Sequence, residues 1–157
     1  MRTGRGNIRL CLAASAGGHA SELMRLADCW KDQEDCFFVT TSHVVEQQMA
    51  QYGRVYVVPE SNRRQPLRFL RALASCAKII IVERPDAVIT TGAAVGCILA
   101  FLAKLSGARI AWVDSIANTE RLSLSCRMIK PFADLVLTQW PEIARQCKSV
   151  EYVGHIL

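Results

Sequence analysis

The sequence lacks the motifs that identify the commonest nucleotide and metal sites. It contains no GxxxxGK[ST] segment and no GxGxxG segment, which excludes a P-loop and makes a nicotinamide or flavin cofactor unexpected. It also contains no DxD pair of carboxylates, so no metal ion is implied. No cofactor is therefore predicted.

Paired cysteines and long hydrophobic runs are missing as well. The seven cysteines form no CxxC pair and have mostly apolar neighbours, which predicts small core residues in a reducing compartment. The longest apolar run, residues 93–103, falls far short of the ~20 residues that cross a bilayer. The N-terminal apolar run is too short for the core of a signal peptide, so neither a transmembrane segment nor a signal peptide is expected.

What is present suits one α/β domain. The 157 residues are 51% hydrophobic and 21% charged, and no repeat or long linker divides them, so residues 1–157 are predicted to form a single domain. Strand-like runs alternate with helical patterns, which predicts a doubly wound, mainly parallel sheet of about seven strands with helices on both faces. The runs cover residues 8–14, 36–41, 55–59, 86–91, 109–114, 134–139 and 150–154.

The first predicted helix follows the first strand directly. An apolar face is predicted to pack against the sheet, and it consists of Leu23, Leu26, Ala27 and Trp30. The side chains predicted to face water are those of Glu22, Arg25 and Asp28.

The turn between this strand and helix, SAGGH at residues 15–19, has the composition of an anion site. Unpaired helix N–H groups point outward at a first βα turn, and glycines let the backbone approach a phosphate closely. Ser15 adds a hydroxyl, and His19 could donate to an oxygen or accept a proton. The alternative is a turn whose glycines only let the helix pack tightly, with His19 as a cap residue.

Two later strand ends carry residues that should meet this turn. Thr91 and Gly92 stand at the end of the fourth strand, and Asp114 and Ser115 stand at the end of the fifth. Because the carboxyl ends of parallel strands share one edge of the sheet, these residues should line one crevice with residues 15–19. Asp114 could instead cap the next helix.

Together these segments resemble a known family. SAGGHASELMRL, the stretch from Pro85 to Glu142 and the closing EYVGHI are similar to the ALG-fourteen and PssD/CpsF-type subunits, the acceptor-side halves of split GT-B glycosyltransferases. The similarity runs from about Ile8 to the C-terminus, and the layout is more distantly similar to the N-terminal domain of MurG. The resemblance implies a Rossmann-like fold of the GT-B N-terminal type.

The resemblance also implies a divided enzyme. One polypeptide holds a polyprenyl-diphosphate-linked acceptor at the membrane, and a separate small partner binds the UDP-sugar. A complete GT-B enzyme needs about two domains, so the nucleotide-sugar half is expected on that partner. The implied activity is an inverting hexosyltransferase that works only as a heterodimer, in capsule, exopolysaccharide or lipid-linked oligosaccharide biosynthesis. The donor sugar, the acceptor saccharide and the oligomeric state stay open.

Carried over position by position, the resemblance assigns roles to the loop residues. The residues expected to bind the acceptor and its diphosphate are Ser15, Gly17, Gly18, Thr91, Gly92, Ala93 and Ser115. His19 is the first candidate for the base that deprotonates the acceptor hydroxyl, and Asp114, where the family usually has glutamate, is the second. Two other classes stay open: a noncatalytic membrane scaffold with a structural His19, and a stand-alone nucleotide-binding module.

Basic residues are concentrated in one segment. Residues 54–84 carry a net charge of +5, equal to the formal net charge of the whole chain. A helix predicted near Pro66 has one basic side, formed by Arg64, Arg68 and Arg71. Its apolar side is formed by Leu67, Leu70 and Leu73 or Ala74. This pattern is typical of a helix at an anionic membrane, and the alternative is a crossover helix whose leucines face the sheet. Peripheral attachment to the cytoplasmic face of the cell membrane is expected, and nucleic acid is not, because few aromatic residues interleave with the basic ones.

Overall fold

Seven strands form one sheet in the structure, a computed structural model that describes residues 8–30, 35–61 and 65–156, apart from the side chain of Asp28. The strands are β1 (Leu10–Ala13), β2 (Cys36–Thr40), β3 (Arg54–Val57), β4 (Ala87–Thr90), β5 (Arg109–Val113), β6 (Leu135–Thr138) and β7 (Glu151–Tyr152). All neighbouring pairs are parallel, in the order β3-β2-β1-β4-β5-β6-β7. Each strand overlaps a predicted run, and the predicted fold class is confirmed.

The helices pack on both faces of this sheet, as predicted. They are α1 (Gly18–Ala27), α2 (His43–Met49), α3 (Pro66–Glu83), α4 (Ala93–Leu105), α5 (Leu124–Ile129) and α6 (Pro141–Gln146). Side chains alternate across each strand, so Leu10 and Leu12 join the core beneath α1 and α2, whereas Cys11 and Ala13 join the core beneath the later helices. The strand order reverses between β1 and β4, which is where ligands bind in open parallel sheets.

The cysteines are mostly core residues, as expected. Cys11, Cys36, Cys76 and Cys126 are buried and every cysteine is unpaired, but Cys29 is exposed. Burial raises the pKa of the Cys76 thiol to about 12, so this side chain stays neutral and behaves as a small apolar group.

The packing of α1 contradicts one prediction. Leu23 and Ala27 are buried and Arg25 is exposed, as expected, but the prediction for Glu22 was wrong, because its side chain is 1% exposed. Three hydrogen-bond donors from elsewhere in the chain bind one oxygen of this carboxylate and replace the water there. The side chain of Asp28, also predicted to face water, lies outside the described residues.

Helix α3 combines the two alternatives that its sequence left open. Its later turns pack on the sheet through Ala72, Cys76 and Ile80, as a crossover helix does, and Leu73 packs partly against the same core. In its first turns, however, Leu67 and Leu70 are 73% and 57% exposed. None of the helices in the described ranges is long and apolar enough to cross a membrane.

Candidate functional site

The loops after β1 and β4 are joined through His19. The Nδ1 atom of His19 lies 2.8 Å from the carbonyl oxygen of Thr91, and the Thr91 hydroxyl donates to the carbonyl of His19 at 2.6 Å. Because a carbonyl oxygen only accepts, Nδ1 carries the proton in this contact, and Nε2 of the neutral ring is left as an acceptor. The side chain is 30% exposed, so the ring can meet a ligand at the edge of the sheet.

Gly92 makes room for the imidazole ring. Its φ of 123° favours glycine, and a Cβ atom at this position would lie 3.1 Å from Cε1 of His19. The next residue, Ala93, has a φ of 65°, a strained conformation for a residue with a side chain. The backbone at the start of α4 is thus held in the uncommon shape that lets the ring of His19 pack against it.

The first turn borders open space. Gly17 and Gly18 are exposed, Ser15 is half-buried, and a Cβ atom added at either glycine would meet nothing within 4 Å. The N–H of Ala16 donates to the Thr41 hydroxyl at 3.1 Å, which ties the turn to the end of β2. A fixed backbone beside open space is the geometry that an anion at a first βα turn requires.

Glu22 is the residue of this site that sequence reasoning missed. Its Oε1 atom accepts hydrogen bonds from the Ser115 hydroxyl at 3.0 Å, the Ile116 N–H at 2.9 Å and Nε2 of Gln139 at 3.2 Å. Its Oε2 atom lies 3.9 Å from Nδ1 of His19. The spacing of three residues from His19 was the one sequence signal that could have placed both side chains on the same side of the helix.

Asp114 and Ser115 lie beside this cluster with their polar atoms already engaged. Asp114 is 2% exposed, and its two carboxylate oxygens accept from Nε1 of Trp112 at 3.2 Å and from the N–H of Ser123 at 2.8 Å. The N-cap of α5 is Ser123, so the alternative in which Asp114 caps this helix was wrong; Asp114 accepts the backbone N–H of the cap residue instead. The Ser115 hydroxyl points to Glu22, away from open solvent.

The structure therefore brings together the first loop, the second loop and the end of β5, as the sequence predicted. Arg68 and Arg71 are exposed on α3 and take part in none of the contacts described above, and Arg64 lies outside the described residues. No group of three or more His, Cys, Asp or Glu side chains within the described ranges could hold a metal ion.

Curated relatives match this chain over most of its length. The UDP-N-acetylglucosamine transferase subunit alg14 of Schizosaccharomyces pombe is 27% identical to it, over 88% of this chain and 79% of the relative. The subunit of the same name from Mus musculus is 23% identical, over 99% of this chain and 86% of the relative.

The fold is shared with a solved structure of low sequence identity. MurG of Acinetobacter baumannii superposes on 94% of this chain with a TM-score of 0.74 and 18% identity, and the chain spans 45% of the MurG chain. The model of the family described as oligosaccharide biosynthesis protein Alg14 like matches residues 10–156. The chain thus belongs to the Alg14-like family, on a Rossmann-like sheet of the GT-B type.

Proposed function

We propose that this chain is the acceptor-side subunit of a two-chain glycosyltransferase. It binds a polyprenyl-diphosphate-linked saccharide, and a separate partner brings the UDP-sugar. The observation that carries the proposal is the pairing of His19 with the Thr91 carbonyl, which leaves Nε2 of a partly exposed imidazole free to accept a proton. Relatives that are named transferase subunits support the need for a partner.

The chemistry follows from this geometry. The acceptor hydroxyl oxygen bonds to the anomeric carbon of the UDP-sugar, on the face opposite UDP, and passes its proton to Nε2 of His19. The bond between that carbon and the diphosphate oxygen breaks, and UDP leaves with the electron pair. Attack from the opposite face inverts the anomeric centre, and a positioned base is expected to contribute about 10²–10⁴-fold to such a step.

The loops supply the binding surface for the acceptor. The diphosphate is proposed to lie against the exposed turn at Gly17 and Gly18, where the N-terminus of α1 favours negative charge. In the second loop, Thr91 and Gly92 are buried and pack against His19, so in this proposal the half-buried Ala93 forms the second wall. Asp114 has both oxygens engaged, so in this proposal it supports the loop before α5 and His19 is the base.

Transfer is expected only when both chains are present. Membranes that contain this chain, a candidate small subunit, or both would be assayed with labelled UDP-sugars, beginning with UDP-N-acetylglucosamine because the relatives are named for it. UDP-glucuronic acid and UDP-galactose complete the panel. Transfer by this chain alone would refute the two-chain proposal, and tight UDP binding without a partner or transfer would favour the nucleotide-binding alternative.

We also propose that the first turns of α3 attach the protein to the cytoplasmic face of the membrane. Leu67, Phe69 and Leu70 are exposed beside Arg68 and Arg71. Because α3 connects the parallel strands β3 and β4, its first turns lie towards the carboxyl ends of the strands, the edge that also carries the loops after β1 and β4. Exposed apolar side chains that alternate with arginines suit an anionic lipid surface.

Reversing the charge of this surface should weaken lipid binding. Each basic residue near an anionic membrane contributes ~1 kcal/mol, so Arg68→Glu with Arg71→Glu should reduce binding to phosphatidylglycerol vesicles at least about 10-fold. Vesicle co-sedimentation would measure it. The control is Arg145→Glu with Lys148→Glu, which makes the same change in net charge at exposed positions in and after α6. Equal binding by both double variants would contradict the proposed surface.

A further inference from the structure

Glu22 is a buried carboxylate with only one of its oxygens satisfied. Oε1 accepts three hydrogen bonds, whereas Oε2 is buried and has no hydrogen-bond partner among the described residues. Burying a charged oxygen without a partner is unfavourable, so a fold that keeps one there needs a reason for it.

The nearest basic group accounts for the burial of Oε2 of Glu22 without a hydrogen-bond partner. In the described part of the chain, His19 is the basic residue within ion-pair distance of Glu22, with 3.9 Å between Nδ1 and Oε2. Nδ1 donates to the Thr91 carbonyl, so Glu22 is a second, negatively charged neighbour of the same imidazole edge. Its charge becomes useful when the ring is positively charged, because the low exposure of Glu22 limits screening by water.

We propose that Glu22 is a positioning residue for sugar transfer, an inference that rests on the proposed function. Oε1 holds the loop at Ser115 and Ile116 against α1, and Oε2 stabilises the imidazolium that forms when His19 takes the proton of the acceptor hydroxyl. The proton stays on Nε2 of His19, Glu22 remains a carboxylate, and UDP departs with the electron pair of the broken glycosyl bond. Glu22 thus acts through His19 and does not touch the substrate.

If the role of Glu22 is purely structural, a different experimental result is expected. If Glu22 only ties α1 to the β5–α5 loop, an uncharged acceptor of the same shape would serve equally well. Glu22→Gln is such a change, since its amide oxygen can replace Oε1 while the charge beside His19 is lost. In the assembled two-chain enzyme we expect kcat to fall about 10- to 100-fold while KM for the acceptor changes little.

The chain offers a matched control for this variant. His43 and Glu46 have the same three-residue spacing, with 2.7 Å between Nδ1 and Oε2, and their side chains are 83% and 39% exposed. Glu46→Gln removes a carboxylate from that pair and should leave kcat unchanged. Circular dichroism and co-purification with the partner would show that both variants fold and assemble.

A double-variant cycle separates action through His19 from a general effect. In a His19→Ala background, adding Glu22→Gln should cost nothing further, because no imidazolium forms. An unchanged kcat for Glu22→Gln, or an equal loss in both backgrounds, would overturn the inference. If Glu22→Gln does not fold, the same double-variant cycle is measured with Glu22→Asp. The aspartate side chain is one methylene shorter, so its carboxylate lies farther from His19.

The same data distinguish the inference from the function on which it rests. Full activity of His19→Ala would overturn the acid–base role of His19, and the role of Glu22 with it. A large loss for His19→Ala, with none for Glu22→Gln, would leave the proposed function intact and overturn the inference alone.

Discussion

Replacing His19 with alanine is expected to lower kcat of the two-chain enzyme by about 10²–10⁴-fold, the usual contribution of a general base. The acceptor hydroxyl then loses the imidazole as its proton acceptor, while the fold keeps its core, since the His19 side chain is 30% exposed. The turn also loses its side-chain contact to the Thr91 carbonyl, but the bond from the Thr91 hydroxyl to the backbone of residue 19 remains available. The measurement is the initial rate of transfer at saturating donor and acceptor, with co-purification of the partner as the test of assembly.

His43→Ala is the matched control for this substitution. His43 also begins a helix after a strand, at the start of α2, and its ring contacts Glu46 on the surface. We expect this variant to keep the wild-type rate. Near-full turnover by His19→Ala would instead favour the noncatalytic scaffold, in which the partner supplies all the chemistry and His19 is a structural turn residue.

Replacing Gly96 with alanine is expected to destabilise the fold, although alanine is the better helix former. A Cβ atom at position 96 would lie 2.1 Å from Oγ1 of Thr90 and 3.2 Å from its Cβ, so α4 and β4 would have to move apart. Overpacking of this kind costs about 1–3 kcal/mol, which exceeds the ~1 kcal/mol that alanine gains over glycine within a helix. A lower urea midpoint with an unchanged m-value is the expected result.

Gly96→Ala should also disturb the candidate site around His19. Oγ1 of Thr90 accepts the N–H of Gly92 at 3.1 Å, and Gly92 is the residue against which the His19 ring packs. Displacing Thr90 therefore shifts the loop that holds the imidazole, and kcat should fall together with stability. Gly18→Ala, which adds a methyl group in open space, controls for the stability effect of alanine itself. Adding Thr90→Ala should recover part of the lost stability, and a midpoint at or above wild type for Gly96→Ala alone would refute the close contact.

The strands and the two glycine turns could be predicted from the sequence because their signals are local. An apolar run such as residues 36–41 favours a buried strand. The βαβ connectivity then brings the carboxyl ends of β1, β4 and β5 to one edge of the sheet. That the residues at those ends lie near one another could therefore be predicted from the connectivity alone. Asp114 was placed at the correct edge, but its role was not decided, because its partners Trp112 and Ser123 are contacts of the folded loop.

The sequence by itself thus determined a parallel α/β sheet, the edge at which the ends of β1, β4 and β5 meet and the presence of His19 there. Only the tertiary structure decided which way individual side chains face. Glu22 is buried because its donors, Ser115 and Gln139, come from 93 and 117 residues away along the chain, and Leu67 is exposed because α3 meets the core only after its first turns. Helical periodicity describes the average burial of a face, whereas the burial of one charged residue depends on hydrogen-bond donors that only folding brings near.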